Sequence, residues 1–222
     1  MISPILANAY LHEVLDTWFE QTVKPRLKGR ARLIRYADDA VLVFEAESDA
    51  RRVLDVLPKR FGKYGLTLHP EKTRLVPFQR PPRGARSGTS PGDRPATFDL
   101  LGFTHYWGRT LRGNWAVKRK TAKSRLGRSL RSINQWCCEH RHHSIQEQWE
   151  ALTAKLRGHY AYYGITGNIA SLLDFRYHVR RAWQKWLSRR SGRARIPWER
   201  FGELERRYPL PPARLPRARQ VT

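Results

Sequence analysis

Two adjacent aspartates, Asp38 and Asp39, stand between two short strand-like runs, Arg30 to Arg35 and Ala40 to Glu45. No other feature constrains the fold as much. Runs this short and this close pair antiparallel through a tight hairpin turn. The second run, Ala40-Val41-Leu42-Val43-Phe44, is continuous and apolar, as a buried strand would be. Adjacent carboxylates at such a turn repel one another, and the flanking strands desolvate them. A bound divalent cation relieves both costs, and two-metal phosphoryl transfer needs carboxylates fixed on a rigid hairpin. A solvated Asp-Asp turn accounts for the same pattern, so the residues alone leave both readings open.

The surroundings of the pair read as mixed helix and strand. Ser3-Pro4 predicts a helix start, with Ser at the cap and Pro at the first position, and Leu11, Leu15 and Trp18 continue at helical spacing. Ser48-Asp49 is expected to open a second helix with Val53, Leu54, Leu57 and Phe61 on one face, kinked at Pro58 and ended by Gly65. Leu66-Thr67-Leu68 reads as a short strand. Residues 79–97 are rich in Pro, Gly, Ser and Arg, the composition of a linker or loop. Phe98 to Tyr106 and Asn114 to Val117 read as the strands of a second hairpin, and the remainder as helices. Ser144-Ile145-Gln146-Glu147 has the pattern of a capping box. Gly164 is expected to close that helix and Asn168 to cap the next, in which Ile169, Leu172, Val179, Trp183, Trp186 and Leu187 line one face. From Ser191 onward the Arg- and Pro-rich chain is expected to be only partly ordered.

The formal net charge is +24 and the pI about 11.1, a balance that calls for a polyanionic partner, nucleic acid first. The charge is unevenly placed. Residues 1–78 carry 13 Lys+Arg against 10 Asp+Glu, whereas residues 79–222 carry 30 against 9. Acidic groups thus gather in the first third, and the polyanion-binding charge follows. No apolar run approaches the roughly 18 residues of a membrane span, and no signal-peptide pattern opens the chain; a soluble, cytoplasmic protein is expected. Lys118, Arg119, Lys120, Lys123, Arg125, Arg128 and Arg131 recur at spacings that bring several to one face, and Arg176, Arg180, Arg181 and Lys185 repeat the pattern. Phosphate contacts from such faces give affinity without reading sequence. Tyr160, Tyr162 and Tyr163 are placed either to stack on unpaired bases or to pack a core, whereas Trp183 and Trp186 read as core. The adjacent Cys137 and Cys138 exclude a disulfide framework, and Cys137 to His143 lacks the paired spacing of structural zinc.

Five segments together resemble one family. Tyr36-Ala37-Asp38-Asp39 is similar to the YADD box of reverse transcriptases. Ile2-Ser3-Pro4-Ile5-Leu6-Ala7-Asn8 resembles the stretch after the PQG box of group II intron enzymes, and Gly65-Leu66-Thr67-Leu68-His69-Pro70-Glu71-Lys72-Thr73 resembles their LHPEKT segment. Phe98-Asp99-Leu100-Leu101-Gly102-Phe103 resembles their FxFLGF segment, and Leu156-Arg157-Gly158-His159-Tyr160-Ala161-Tyr162-Tyr163-Gly164 the core of their maturase region. The order is that of the group II intron reverse transcriptase/maturase.

The resemblance implies an α+β fold. A partial palm spans 1–78, a Pro/Gly/Arg-rich linker or loop 79–97, the end of the palm hairpin 98–117, a helical thumb/maturase RNA-binding domain 118–208 and a basic tail 209–222. It implies RNA-directed DNA polymerase and splicing-maturase activity with Mg²⁺. The partners it implies are group II intron RNA, a DNA target or primer and deoxynucleoside triphosphates, without a membrane. Asp38 would be a metal ligand and Asp39 a supporting carboxylate. Tyr36 would lie near the primer end or incoming nucleotide, and Lys72 on the triphosphate side, where it could give a proton to pyrophosphate; a solvated turn lysine accounts for Lys72 equally well. Gly102 would let backbone approach the primer strand. Lys118, Arg119, Lys120, Arg157, Tyr160, Tyr162, Tyr163, Arg176, Arg180 and Arg181 would meet RNA. The family's first metal-binding aspartate, its PQG residues and its fingers have no counterpart in these residues. The sequence-based expectation is therefore an incomplete two-ion site, an N-terminal palm/fingers chain as partner, and no polymerisation by this chain alone. No HNH-type nuclease segment is recognised.

Overall fold

The computed structural model describes residues 3–82, 95–191 and 195–215. The α+β expectation holds, and the chain divides into two compact units, Met1–Leu101 and Gly102–Thr222.

In the first unit, helix α1 (Ser3–Leu11) continues into wide π-type turns, His12–Thr17 and Phe19–Val23, and a 3₁₀ turn, Lys24–Arg26. Widened turns leave carbonyls without their usual partners. The Arg60 guanidinium supplies donors from helix α2 (Glu47–Gly62), with Nε donating to the Val14 carbonyl at 3.1 Å and Nη2 to the Glu13 carbonyl at 3.4 Å. The same guanidinium lies 4.4 Å from the Tyr64 ring centre. Strands β1 (Ala31–Tyr36) and β2 (Asp39–Phe44) form an antiparallel hairpin. Its inner face, Leu33, Leu42 and Phe44, packs on the fully buried Phe19, on Val23 and on Val53. A neighbouring cluster joins Val14 and Leu15 to Leu57 and Phe61.

Several local expectations change here. Helix α2 runs through Pro58 and ends at Gly62, before Gly65, whose φ of +67° turns the chain three residues later. Its start is Glu47, with no side-chain cap. Asp49 is instead buried in the first turn, where its Oδ2 accepts the Lys28 and Gly29 amides at 2.8 and 3.0 Å. Those two otherwise unpaired donors just before β1 claim the carboxylate from the helix end. Leu66-Thr67-Leu68 is irregular rather than a strand; Leu66 and Leu68 still pack against the core. The expected linker at 79–97 falls largely outside the described residues. A short strand, β3 (Phe98–Leu100), follows, its Phe98 ring edge-on to Phe78 at 4.9 Å.

The second unit contains β4 (Phe103–Arg109), paired antiparallel with β5 (Trp115–Thr121). The run Phe98 to Tyr106 is therefore not one strand. Leu101 and Gly102 take φ of +50° and +78°, a left-handed pair that no strand accommodates. Helices α3 (Lys123–Glu139), α4 (Ile145–Tyr163) and α5 (Ile169–Leu187) build the core around Leu152, Leu156, Phe175, Val179 and Trp183. Trp183 is fully buried, and Trp186 is partly buried with its Nε1 donating to Asn134 Oδ1 at 3.0 Å. The capping box at Ser144 and Glu147 forms in both directions, and Gly164 closes α4. Asn168 does not cap α5 through its side chain. Its Oδ1 accepts the Thr121 amide at 2.9 Å, and its Nδ2 donates to Thr121 Oγ1 and the Tyr163 carbonyl, each at 2.8 Å. This fully buried amide bolts the end of β5 to the α4–α5 turn, satisfying backbone groups that a cap would leave unpaired.

The segment from Ser191 holds more order than its composition suggests. It contributes helix α6 (Trp198–Arg207), with Phe201 fully buried and Leu210 nearly so. Residues 192–194 and 216–222 lie outside the described residues.

Candidate functional site

The β1–β2 register pairs Tyr36 with Asp39 and leaves Ala37 and Asp38 as a two-residue turn. Ala37 has φ of +53°, the left-handed conformation that tight hairpin turns demand and that disfavours any residue with a Cβ. Residues directly opposite share a face, so Arg32, Ile34 and Tyr36 stand outward with Val43, Val41 and Asp39. The expectation of a buried second strand is corrected on that face: Ile34 and Val43 are each 51% exposed and Tyr36 is 68% exposed. An apolar run is compatible with burial on both faces, but in the described residues only the inner face of this two-stranded sheet is covered.

Asp38 and Asp39 are exposed and have no side-chain partner among the described residues. Their oxygens are therefore available to a hard cation. Mg²⁺ is commonly held by one or two carboxylates, with water and substrate phosphates completing its shell, so the pair fits the ion. No group of three or more His, Cys, Asp or Glu suited to a metal occurs among the described residues. Lys72 lies on an exposed turn where its own amide donates to the His69 carbonyl at 3.2 Å.

Within the second unit the expected site residues fall into separate environments. Lys118, Arg119 and Lys120 lie on β5, with the Lys120 ammonium 5.3 Å from the Tyr106 ring. Arg157 is exposed on α4. Tyr162 is 56% exposed and stacks on Phe103 at 6.0 Å, while Tyr163 meets the same ring edge-on at 5.3 Å. Gly102 has a left-handed φ that favours glycine, and a Cβ there would stand 3.1 Å from the Tyr163 Oη, so that the tyrosine would have to give by a few tenths of an ångström. Burial raises the Tyr163 hydroxyl's pKa, the neighbouring Tyr162 adds to the rise, and Arg125 and Arg128 oppose it.

Arg176, Arg180 and Tyr160 are committed within the protein. Arg180 Nε lies 2.7 Å from both carboxylate oxygens of Glu205, and Arg176 Nη2 is 3.8 Å from Glu205. Arg176 Nε donates to the Pro211 carbonyl at 3.2 Å, and the Tyr160 hydroxyl to the same oxygen at 3.3 Å. Burial pushes the Tyr160 hydroxyl up to about 12. These three side chains hold α6 and the segment after it, whereas Arg181 is exposed with its guanidinium 5.6 Å from the Tyr177 ring. Helical spacing brought the arginines to one helix but carried no information about the acid that α6 would return to two of them.

His159 sits beneath the tyrosines, stacked on Phe175 at 3.7 Å and 4.6 Å from the Tyr163 ring, with a buried Nε2 that has no partner among the described residues. Burial lowers its pKa from 6.5 to about 4. The unfolded chain therefore binds a proton between those values that the folded chain refuses. The stabilisation is complete above pH 6.5 and is lost as pH falls toward 4. Allowing for residual solvent access, the expected loss is about 1–2 kcal/mol. Chemical denaturation at pH 7 and pH 4.5 should show it, and His159→Phe should reduce it; an unchanged acid dependence in that variant would refute the assignment.

Sequence reasoning passed over Arg35, Asp16 and Asn8, which surround the base of the turn. Arg35 falls on the inward register of β1, an arginine among core positions, and that was the available signal.

Among the described residues, no helix is long and apolar enough to cross a membrane. A search of curated proteins returned no match. The family model of the reverse transcriptase (RNA-dependent DNA polymerase) matches residues 1–105, the stretch that contains the hairpin with Tyr36, Asp38 and Asp39 at its tip.

Proposed function

We propose that this chain is the C-terminal part of a group II intron reverse transcriptase/maturase, supplying the YADD hairpin and a basic RNA-binding region. The observation that carries the reading is the Asp38–Asp39 pair at the hairpin tip, Asp38 in the turn and Asp39 opening β2, without side-chain partners among the described residues and inside the stretch that matches the reverse transcriptase model. Asp38 would hold Mg²⁺, with Asp39 supporting it. Bound there, the ion would activate an attacking hydroxyl and stabilise developing charge on phosphate. Tyr36, beside Asp39 on the open face, would border the primer end or incoming nucleotide, and Lys72 the triphosphate side. Gly102 would admit a close backbone approach to the primer. Lys118, Arg119, Lys120, Arg157, Tyr162 and Arg181 would contact intron RNA, with Arg176, Arg180, Tyr160 and Tyr163 shaping that surface as well as any RNA they touch. Intron RNA, a DNA target or primer and deoxynucleoside triphosphates are the proposed partners. A fingers-and-palm chain would supply the remaining metal ligand, and the setting would be cytoplasmic.

A second reading, an RNA-binding maturase fragment that assists splicing without polymerising, draws on a specific observation. The excess of positive charge lies beyond residue 78 in the sequence, after the segment that carries the Asp pair. Primer extension on an RNA template separates the two. Extension that requires Asp38, from this chain with or without a fingers-and-palm segment in trans, supports the enzyme. Tight RNA binding with no extension in either format supports the fragment.

Both readings require phosphate contacts. With about six of them, log affinity for structured RNA should fall against log salt with a slope of about −4 to −5. A fluorescence-anisotropy titration from 50 to 300 mM KCl (about that range suffices) measures it, and a slope near zero would remove nucleic acid from both readings.

A further inference from the structure

The Arg35 side chain is only 13% exposed, and its donors are spent in one place. Nε donates to Asp16 Oδ1 and Nη2 to Asp16 Oδ2, each at 2.8 Å, a two-pronged ion pair. Nη1 donates to Asn8 Oδ1 and to the Ala37 carbonyl, each at 2.9 Å. Asn8 belongs to α1 and Asp16 to the π-type turn that follows it, so one guanidinium ties both segments to the hairpin. The Ala37 carbonyl is the peptide oxygen between the two turn residues, Ala37 and Asp38. Holding it restrains the peptide plane that leads into Asp38. Ala37 is also the residue with the disfavoured φ of +53°, a conformation that persists only where its surroundings hold it.

We infer that Arg35 is a positioning residue for the Asp38–Asp39 turn, a clamp braced by Asp16 and Asn8 that holds the Ala37 carbonyl and so fixes where the two carboxylates present their oxygens. The inference rests on the reading of that pair as a divalent-cation site. Its physical content is geometric. A metal site loses affinity when its carboxylates must be ordered by the ion itself, because that ordering entropy is then taken from the binding energy. The planar guanidinium reaches a carboxylate, an amide oxygen and a peptide oxygen in fixed directions at once. A lysine ammonium keeps the charge but cannot reproduce that fork.

The test uses the full chain, Mn²⁺ as the probe, and NMR of the backbone amides, with thermal melting alongside. In the wild type, Mn²⁺ should broaden the Ala37, Asp38 and Asp39 amides selectively, and Asp38→Asn should abolish the effect. Arg35→Lys should keep the fold, with a melting midpoint within about 5 °C of wild type, since the charge pair with Asp16 survives in weaker form. It should nonetheless require about fivefold to tenfold more Mn²⁺ for the same broadening. The order parameters of those amides should fall from about 0.85 toward 0.6. A purely structural arginine would lower the melting midpoint and leave Mn²⁺ affinity and turn order unchanged among folded molecules. Should Arg35→Lys fail to fold, Asp16→Asn loosens the brace with the arginine in place and is expected to change both readouts in the same direction, by less. Unchanged Mn²⁺ affinity and rigid turn amides in the folded variant would overturn the clamp while the metal site stands. An absence of selective broadening in the wild type would overturn the metal-site reading and the inference with it.

Discussion

Asp38→Asn is expected to lower RNA-templated primer extension by about a thousandfold or more, in an assay where this chain is joined by a fingers-and-palm segment in trans. That corresponds to about 4 kcal/mol of transition-state stabilisation. The substitution is nearly isosteric, so the hairpin should fold unchanged. It removes the charge and one acceptor from an exposed side chain with no partner among the described residues to disturb. On the proposed assignment the lost interaction would be with the cation alone, whose hard-ligand preference makes a neutral amide a poor substitute. RNA affinity should stay within about twofold, because it depends on lysine and arginine contacts to phosphate. Asp39→Asn should have a smaller effect, since Asp39 is paired in register at the first position of β2 and is assigned a supporting role. Retained extension with lost RNA binding in Asp38→Asn would reverse the assignment, and gel-resolved extension beside an anisotropy titration on the same protein measures both.

Gln148→Leu is expected to be the most damaging of the conservative substitutions in the second unit. Gln148 is 1% exposed and uses both ends of its amide. Its Nε2 lies 2.9, 3.3 and 3.0 Å from the carbonyls of His140, Arg141 and His143, the turn between α3 and α4. Its Oε1 accepts the indole Nε1–H of fully buried Trp183 at 3.0 Å. Leucine fills a similar volume, so packing is largely kept and the loss is polar. One buried indole N–H is left without a partner, and several carbonyls at the end of α3 lose a shared donor. An orphaned buried donor costs about 1–3 kcal/mol by itself, and the carbonyls, partly open to water, add less. A total of about 2–4 kcal/mol should lower the melting midpoint by roughly 10–15 °C. Adding Trp183→Phe removes the orphaned donor and should restore part of that loss relative to Trp183→Phe alone. If Gln148→Leu melts within about 2 °C of wild type, the bridge carries no net stability.

The local order of elements is largely legible in the sequence. The 3.6-residue recurrence of Leu172, Val179, Trp183 and Leu187 marks the buried stripe of α5, and the Ser144–Glu147 box marks the start of α4. Both are interactions between residues a few positions apart, and a linear pattern encodes them directly. The same holds for the hairpin: two short runs flanking Tyr36-Ala37-Asp38-Asp39 pair antiparallel, which places the Asp pair at the turn, while the exact register, with Tyr36 opposite Asp39, comes from the structure.

What a linear pattern does not encode is which distant group claims a polar side chain. Ser48-Asp49 has the composition of a helix cap, yet Asp49 turned to the amides of Lys28 and Gly29. Asn168 likewise bound Thr121, 47 residues away, in place of its own helix end. Arg176 and Arg180 share a helix with Arg181, but only Arg176 and Arg180 meet Glu205 on α6. Asp49 and Asn168 are buried and Arg176 and Arg180 half-buried, and a polar group taken from water finds a partner wherever the fold places one, which outweighs the modest preference of a cap or a solvated face.

Most of the helix and strand order, the Asp pair at its turn, and the division between an acid-bearing first third and a basic remainder can be read from the chain alone, because each rests on neighbouring residues or on composition. Packing of the folded chain sets which cations are already paired, which face of the hairpin is covered, and that Arg35, braced by Asp16 and Asn8, holds the turn's carbonyl. Those are contacts across 19 and 27 residues of chain, set by packing of the helical segments against β1, and hydrophobic burial rather than local propensity brings such groups within hydrogen-bonding reach.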